Sequence, residues 1–165
     1  MIYPTVTVVG GSEAQRKLVR QAARYFLKKL MYERDHITLA GMLLSIELIK
    51  DLHKSEDVKG DLEPDDDDSY AFDLRLDSSM NISALLRTLA HECVHASQYA
   101  LEDMKETRNV TVTIWKGKRI DWSKMHYYDQ PWEIDAYGKE IGLYEGFVGA
   151  KRLTRESWYI DYDYE

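Results

Sequence analysis

Two periodicities meet between residues 70 and 100 and limit what this chain can fold into. Tyr70, Phe72, Leu74 and Leu76 alternate with Ala71, Asp73, Arg75 and Asp77, the period of two that lays one apolar side of a β-strand on a core. A few residues later the period lengthens. Ile82, Leu85, Leu86, Leu89 and Cys93 fall on one stripe of a helix that runs to about Ala100, with Ser79 or Asn81 able to cap its start. A strand feeding directly into a core-facing helix obliges the remaining segments to cover both.

The flanking segments supply that cover. Thr5–Val9 is β-branched and apolar and ends at Gly10-Gly11, which predicts a short strand. Ser12 with Gln15 three residues on makes a capping box. Leu18, Ala22, Tyr25, Phe26 and Leu30 then recur at helical spacing to about Glu33. Ile37–Ile49 is nearly all apolar and is read as a strand, although a buried helix carries the same pattern. Ser55–Ser69, with the run Asp65 to Asp68, is read as a solvated loop, because it lacks the spaced ligands and central glycine of a calcium loop. Val110, Val112 and Ile114 alternate up to Trp115, and Lys116-Gly117 before Arg119–Trp122 predicts a hairpin. A last helix is predicted from Pro131, where a first turn tolerates proline, through Val148. No internal repeat is present.

Composition narrows the classes of function. With 165 residues, 44% hydrophobic and 12% aromatic, the chain fits one domain with a substantial core. It carries 22 Lys+Arg against 29 Asp+Glu, a net charge of −7, so the cationic face needed to displace counterions from nucleic acid is not expected. Cys93 is the single cysteine, which rules out an intrachain disulfide and fits a reducing compartment. The segment MIYPTVTVVGG has no cationic start before a long apolar run, and no window approaches about 18 uninterrupted apolar residues. A cytoplasmic protein without a membrane partner is the expectation.

The residues that carry chemistry lie on the striped helix. His91-Glu92-Cys93-Val94-His95 sets two imidazoles four residues apart, one turn along one face, where both can reach one metal ion. A zinc site that does chemistry takes three protein ligands and leaves a position for water. Glu133 is one candidate for the third ligand, because it shares a helical face with Ala136, Tyr137, Glu140, Ile141 and Tyr144, and a carboxylate on such a face is costly unless paired or metal-bound. His126, in the loop ahead, and Glu140, about 10 Å further along the axis, are the others. Asp135 projects to the opposite side beside Lys139 and reads as solvated.

The segment His91-Glu92-Cys93-Val94-His95, with Gln98 three residues beyond and Glu133 on a later helix, resembles the HExxH site of zincin metallopeptidases, and among them the gluzincin-like branch. The order of elements over roughly residues 3–150 is similar to the minimal zincin domain. So is the Pro131-Trp132-Glu133 segment to that of small gluzincin-like proteins, including ones encoded by phages. The resemblance implies an α+β fold: a small mixed sheet packed against an N-terminal helix and the HExxH helix, with a C-terminal ligand-bearing helix. Residues 1–150 would form this one domain and 151–165 an aromatic, acidic tail.

For the site, the resemblance implies Zn2+ held by His91, His95 and Glu133, and hydrolysis of peptide bonds by a metal-activated water with Glu92 as general base. The developing oxyanion needs a further donor, and His126, Tyr127, Tyr128 and Tyr137 are the candidates. A peptide substrate would pair along Tyr70–Leu76, the sheet edge in that family. Three and six residues after His95 stand Gln98 and Leu101, not the glycine and histidine of metzincins. Four residues after Glu133, where many gluzincins carry an acid that holds a zinc histidine, stands Tyr137. DNA-repair zinc proteases, with a third histidine and basic regions, fit this acidic chain badly. The alternative function is a non-catalytic, zinc-containing peptide- or protein-binding module of the same fold.

Other residues receive plainer readings. Cys93 lies on the apolar stripe and is a packed small hydrophobe, while His36 and His53 lack any partner pattern. Gly138, Gly142 and Gly146 each cost about 1 kcal/mol of helix stability relative to alanine, which predicts close approach of a neighbouring helix. The tail Ser157–Glu165, rich in tyrosine, is predicted to dock on the domain. Covering the cleft and self-association through the same aromatic surface are its other uses.

Overall fold

The β-branched N-terminal run forms strand β1 (Thr5–Gly10) in a computed structural model that describes residues 2–162. Helix α1 (Glu13–Gly41) starts on the predicted capping box: the Gln15 N–H donates to Ser12 Oγ at 3.1 Å, and the Ser12 N–H to Gln15 Oε1 at 2.9 Å.

The reading of Ile37–Ile49 as one strand is corrected. Asp35 leaves helical geometry (φ −159°, ψ 84°) and restarts the helix, accepting from the Thr38 N–H at 2.9 Å and the Thr38 hydroxyl at 2.6 Å. Residues 37–41 therefore complete α1, and strand β2 (Leu43–Ile49) begins only beyond them. Apolarity misled here because Ile37 is 76% exposed, whereas the cap at Asp35 was the informative signal.

The solvated loop over Ser55–Ser69 is also corrected. It contains the end of helix α2 (Leu52–Glu56) and strand β3 (Gly60–Pro64), and only residues 57–59 and 65–69 remain loop. The charges of β3 are tolerated because it is an edge strand, and Asp61 accepts from Arg75 Nε of the adjacent strand at 2.9 Å. Strand β4 (Ala71–Asp77) follows, then helix α3 (Ile82–Ala100), whose cap Asn81 accepts from the Ser83 N–H. A small second sheet holds β5 (Met104–Glu106), β6 (Val112–Trp115) and β7 (Lys118–Asp121). The predicted β6–β7 hairpin turns at Lys116 and Gly117, whose φ values of 47° and 81° are what a tight hairpin turn requires. Helix α4 (Pro131–Ala150) closes the fold, with Pro131 in its first turn as predicted.

The fold class is thus α+β, with four α-helices and two small sheets among the described residues. The larger sheet runs β1-β2-β4-β3; β1, β2 and β4 are parallel and β3 is antiparallel. The expectation that Tyr70–Leu76 forms the sheet edge is overturned: β4 lies between β2 and β3, and the edge strands are β1 and β3 (Gly60–Pro64). The alternation that revealed β4 in sequence reflects a half-buried sheet face, which an interior strand presents as readily as an edge one. Phe72, Leu74 and Leu76 are buried with Val6, Leu44 and Ile46 against Phe26 and Leu27 of α1 and Leu85, Leu86 and Leu89 of α3. Helix α3 packs on α1, α4 and the sheet at once, so the motif helix is covered on most of its circumference. No helix among the described residues is long and apolar enough to cross a membrane.

The helical glycines divide. Only Gly146 meets a close neighbour, the Tyr25 hydroxyl of α1, 2.9 Å from where a Cβ would stand. At Gly138 and Gly142 nothing lies within 4 Å, so close helix approach does not account for them, and nothing else in the structure does. Gly142→Ala is expected to raise stability by about 0.5–1 kcal/mol. Gly146→Ala should lower it, because the Tyr25 ring is held edge-on by Phe26 and Phe147. Urea denaturation midpoints moving in opposite directions would bear this out; both moving upward would refute the packing role of Gly146.

Candidate metal centre

Helices α3 and α4 bring His91, His95 and Glu133 together as a buried group able to hold a metal ion. The two Nε2 atoms are 3.1 Å apart, His91 Nε2 lies 3.2 Å from Glu133 Oε2, and His95 Nε2 lies 3.4 Å from Glu133 Oε1. A tetrahedral cation with bonds of about 2.0–2.2 Å separates neighbouring ligand atoms by about 3.3–3.5 Å, so the spacing suits one ion.

The protonation pattern makes the same point independently. His91 Nδ1 is 2.8 Å from Glu140 Oε2, an acceptor only, so Nδ1 carries the hydrogen. His95 Nδ1 is 2.8 Å from Gln98 Oε1. The Gln98 amide is oriented by its nitrogen, which donates to the Trp132 carbonyl at 3.0 Å and to Asp135 Oδ2 at 2.9 Å. In their neutral, metal-binding forms both imidazoles would therefore present Nε2 lone pairs to each other and to a carboxylate. Glu133 Oε2 is buried and has no hydrogen-bond partner. Three electron-pair donors facing one point repel unless a cation lies between them, so the residues fit a metal.

Without metal, a proton takes part of that role. Burial of the His91 ring disfavours its charge, but the Glu133 and Glu140 carboxylates prevail and lift its pKa to about 9. Burial opposes ionisation of Glu133 as well, yet the two imidazoles and the Tyr127 hydroxyl hold it down at about 2. His95 is raised too, the pull of Glu133 and Glu92 outweighing burial. A metal must displace the His91 proton, so affinity should climb about tenfold per pH unit from pH 6.5 towards 9 and then level off. Metal titrations of chelator-stripped protein in buffers of different ionisation heat should show at least one proton released at pH 7. An affinity that stays flat between pH 6.5 and 8.5 would contradict a His91 proton held by the Glu133 and Glu140 carboxylates.

The other predicted residues are placed as follows. Glu92 is buried beside the pair, and burial raises its pKa. It lines, with His91, His95, Glu133 and Tyr127, a cleft of about 490 Å³ walled on one side by Gly60, Asp61 and Leu62 of β3. Tyr128 and Tyr137 line an adjoining depression that also contains His91, Glu92 and Tyr127. The Tyr137 ring packs on His91, with centroids 4.5 Å apart. His126 is not brought to the centre as ligand or donor: it is exposed, accepts the Tyr128 N–H at 3.3 Å as cap of a short 3-10 turn (Tyr127–Asp129), and lines neither space.

Glu140 does not ligate with the pair; it occupies the far nitrogen of His91 and accepts from Arg87 Nε at 2.6 Å. It thereby fills the orienting role left vacant by Tyr137. Asp135 pairs with Lys139 at 2.8 Å as predicted, but it is half-buried and not solvated, because it also holds Gln98. Arg87 escaped the sequence reading, although it stands one turn before His91, and Glu140 was read there as a candidate ligand and not as the carboxylate that orients His91. Cys93 is buried, and burial pushes its thiol well above the ordinary range, in keeping with a packed hydrophobe.

Comparison with protein-family models, with curated proteins and with solved structures finds no match to this chain. What the site does is therefore read from its own residues.

Proposed function

We propose that this protein is a zinc-dependent peptidase in which His91, His95 and Glu133 hold the metal and Glu92 is the general base. One observation carries the reading: three pre-oriented donor atoms and a second buried carboxylate, Glu92, border the same cleft, beside a strand edge free to pair. Zinc is assigned because two imidazoles and one carboxylate suit a borderline-soft ion that keeps an open position.

Bound there, zinc would polarise a peptide carbonyl and bring the pKa of an activated water to about 7. The chain's own groups supply the remainder. Glu92 takes the proton from the attacking water and returns it to the leaving amine, and its desolvated carboxyl, with raised pKa, is suited to hold that proton in between. Tyr127 lies in the cleft and interacts with Glu133; its hydroxyl is the donor assigned to the developing oxyanion. Tyr128 and Tyr137 shape the adjoining depression.

Gly60–Pro64 takes the substrate-pairing role first expected of Tyr70–Leu76, since an extended peptide adds to an exposed edge. The cleft lining includes Asp61 and Glu106 but no lysine or arginine, which favours neutral or cationic segments of a peptide or unfolded protein.

The test begins with protein purified without chelator or nickel resin: about one zinc per chain is expected. Cleavage of an unfolded protein or a mixed peptide library should be abolished by a zinc chelator and restored by added zinc. Stoichiometric zinc with no cleavage of any member of the library would defeat the peptidase reading.

A further inference from the structure

Resting on the metal-centre reading above, we propose that the C-terminal segment 159–162 is a positioning element of that centre. Tyr162 holds Arg87, Arg87 holds Glu140, and Glu140 holds the His91 ring. The segment bridges α3 and α4, the two helices that between them supply all three donors. The Ile160 N–H donates to Ser83 Oγ of α3 at 3.2 Å, and its carbonyl accepts from the Tyr144 hydroxyl of α4 at 3.0 Å. Ser83 and Tyr144 are themselves hydrogen-bonded. The Tyr159 ring stacks on Tyr144 at an interplanar angle of 8°, and its hydroxyl donates to Glu145 at 3.0 Å.

Tyr162 packs edge-on to Tyr144 and its N–H donates to Glu145 at 3.3 Å. Its ring then lies 4.6 Å from the Arg87 guanidinium carbon, a cation–π contact. Arg87 needs such a partner: its side chain is 33% exposed, and a long arginine open to water on one side samples several rotamers. Held, it donates to one Glu140 oxygen at 2.6 Å while His91 Nδ1 takes the other at 2.8 Å. Both oxygens of this buried carboxylate are thus committed, which fixes the His91 ring plane and its tautomer. If Arg87 swings away, Glu140 is free to rotate and the His91 Nε2 direction loosens. Groups that orient a metal histidine in this way are worth about 10–100-fold in metal affinity.

The test uses the full chain loaded with zinc and chased with a chromophoric chelator, with melting temperature measured alongside. Tyr162→Ala should release zinc about tenfold faster than the parent, whereas Tyr162→Phe, which keeps the ring, should stay within about twofold. Arg87→Lys, which keeps the charge but loses the planar contact, should resemble Tyr162→Ala and serves if the alanine variant does not fold. With cobalt in place of zinc, the visible spectrum should shift for these two variants and not for Tyr162→Phe. Trp158→Ala, which loses tail packing away from Arg87, should lower the melting temperature without speeding release. Release unchanged in both Tyr162→Ala and Arg87→Lys overturns the proposal. So does release that follows melting temperature in every variant, and so does a gain in cleavage at unaltered release, which would make the tail a cleft cover. A parent chain that binds neither zinc nor cobalt would instead remove the metal centre itself.

Discussion

Replacing Glu133 with alanine is expected to lower metal affinity by more than about a hundredfold. Binding of zinc to four protein ligands is worth about 10–16 kcal/mol, so one ligand carries about 3 kcal/mol, and each tenfold is about 1.4 kcal/mol. The effect should stand at the upper end because Glu133 is the only anion among the three donors and bridges both imidazole edges at 3.2 and 3.4 Å. His126→Ala is the matched control. It removes the competing candidate ligand, which is exposed in the structure, and should leave metal content unchanged. Competition with a chromophoric chelator measures both. Equal affinity in Glu133→Ala and the parent would mean that the carboxylate is not a ligand.

Glu92→Gln is expected to cost about 10²–10⁴-fold in the rate of peptide cleavage while leaving zinc bound. The amide nearly preserves the volume of this buried side chain, so folding and metal content should hold, and what is lost is the ability to accept a proton. This substitution also separates the two functions considered from the sequence. In a binding module that keeps zinc for stability, Glu92→Gln would leave peptide binding and biological activity intact while His91→Ala abolished them. An enzyme predicts loss from both. Cleavage by Glu92→Gln at the parent rate, with zinc present, would falsify the general-base assignment.

How much of the site was legible follows from how local each part is. His91, Glu92 and His95 are visible because one helical turn fixes their relation whatever else the chain does. Glu133 was nearly as legible, since a carboxylate on an apolar helical face demands a partner. The roles of Glu140, Gln98 and Asp135 were not, because they depend on the angle and depth at which α4 crosses α3. A shift of about two turns between the two helices would have exchanged ligand and orienting carboxylate. The fold divides in the same way. The capping box at Ser12, the alternation in β4, the stripe of α3 and the turn at Lys116-Gly117 are local and appeared as expected. The extent of α1 beyond Glu33 and the strand at Gly60–Pro64 did not, because an internal aspartate cap and an edge position override apolarity.

Periodicity and spacing alone settled the types of the strongly patterned elements, the apolar stripe and the histidine pair, since each of these is set within about one turn of helix or a few residues of strand. Tertiary structure alone decided that β4 lies inside the sheet, that Glu140 and Gln98 orient the pair, and where residues 158–162 rest. Those outcomes depend on contacts between residues far apart in the chain, such as His91 with Glu140 and Ser83 with Ile160, and no local pattern records how distant segments pack.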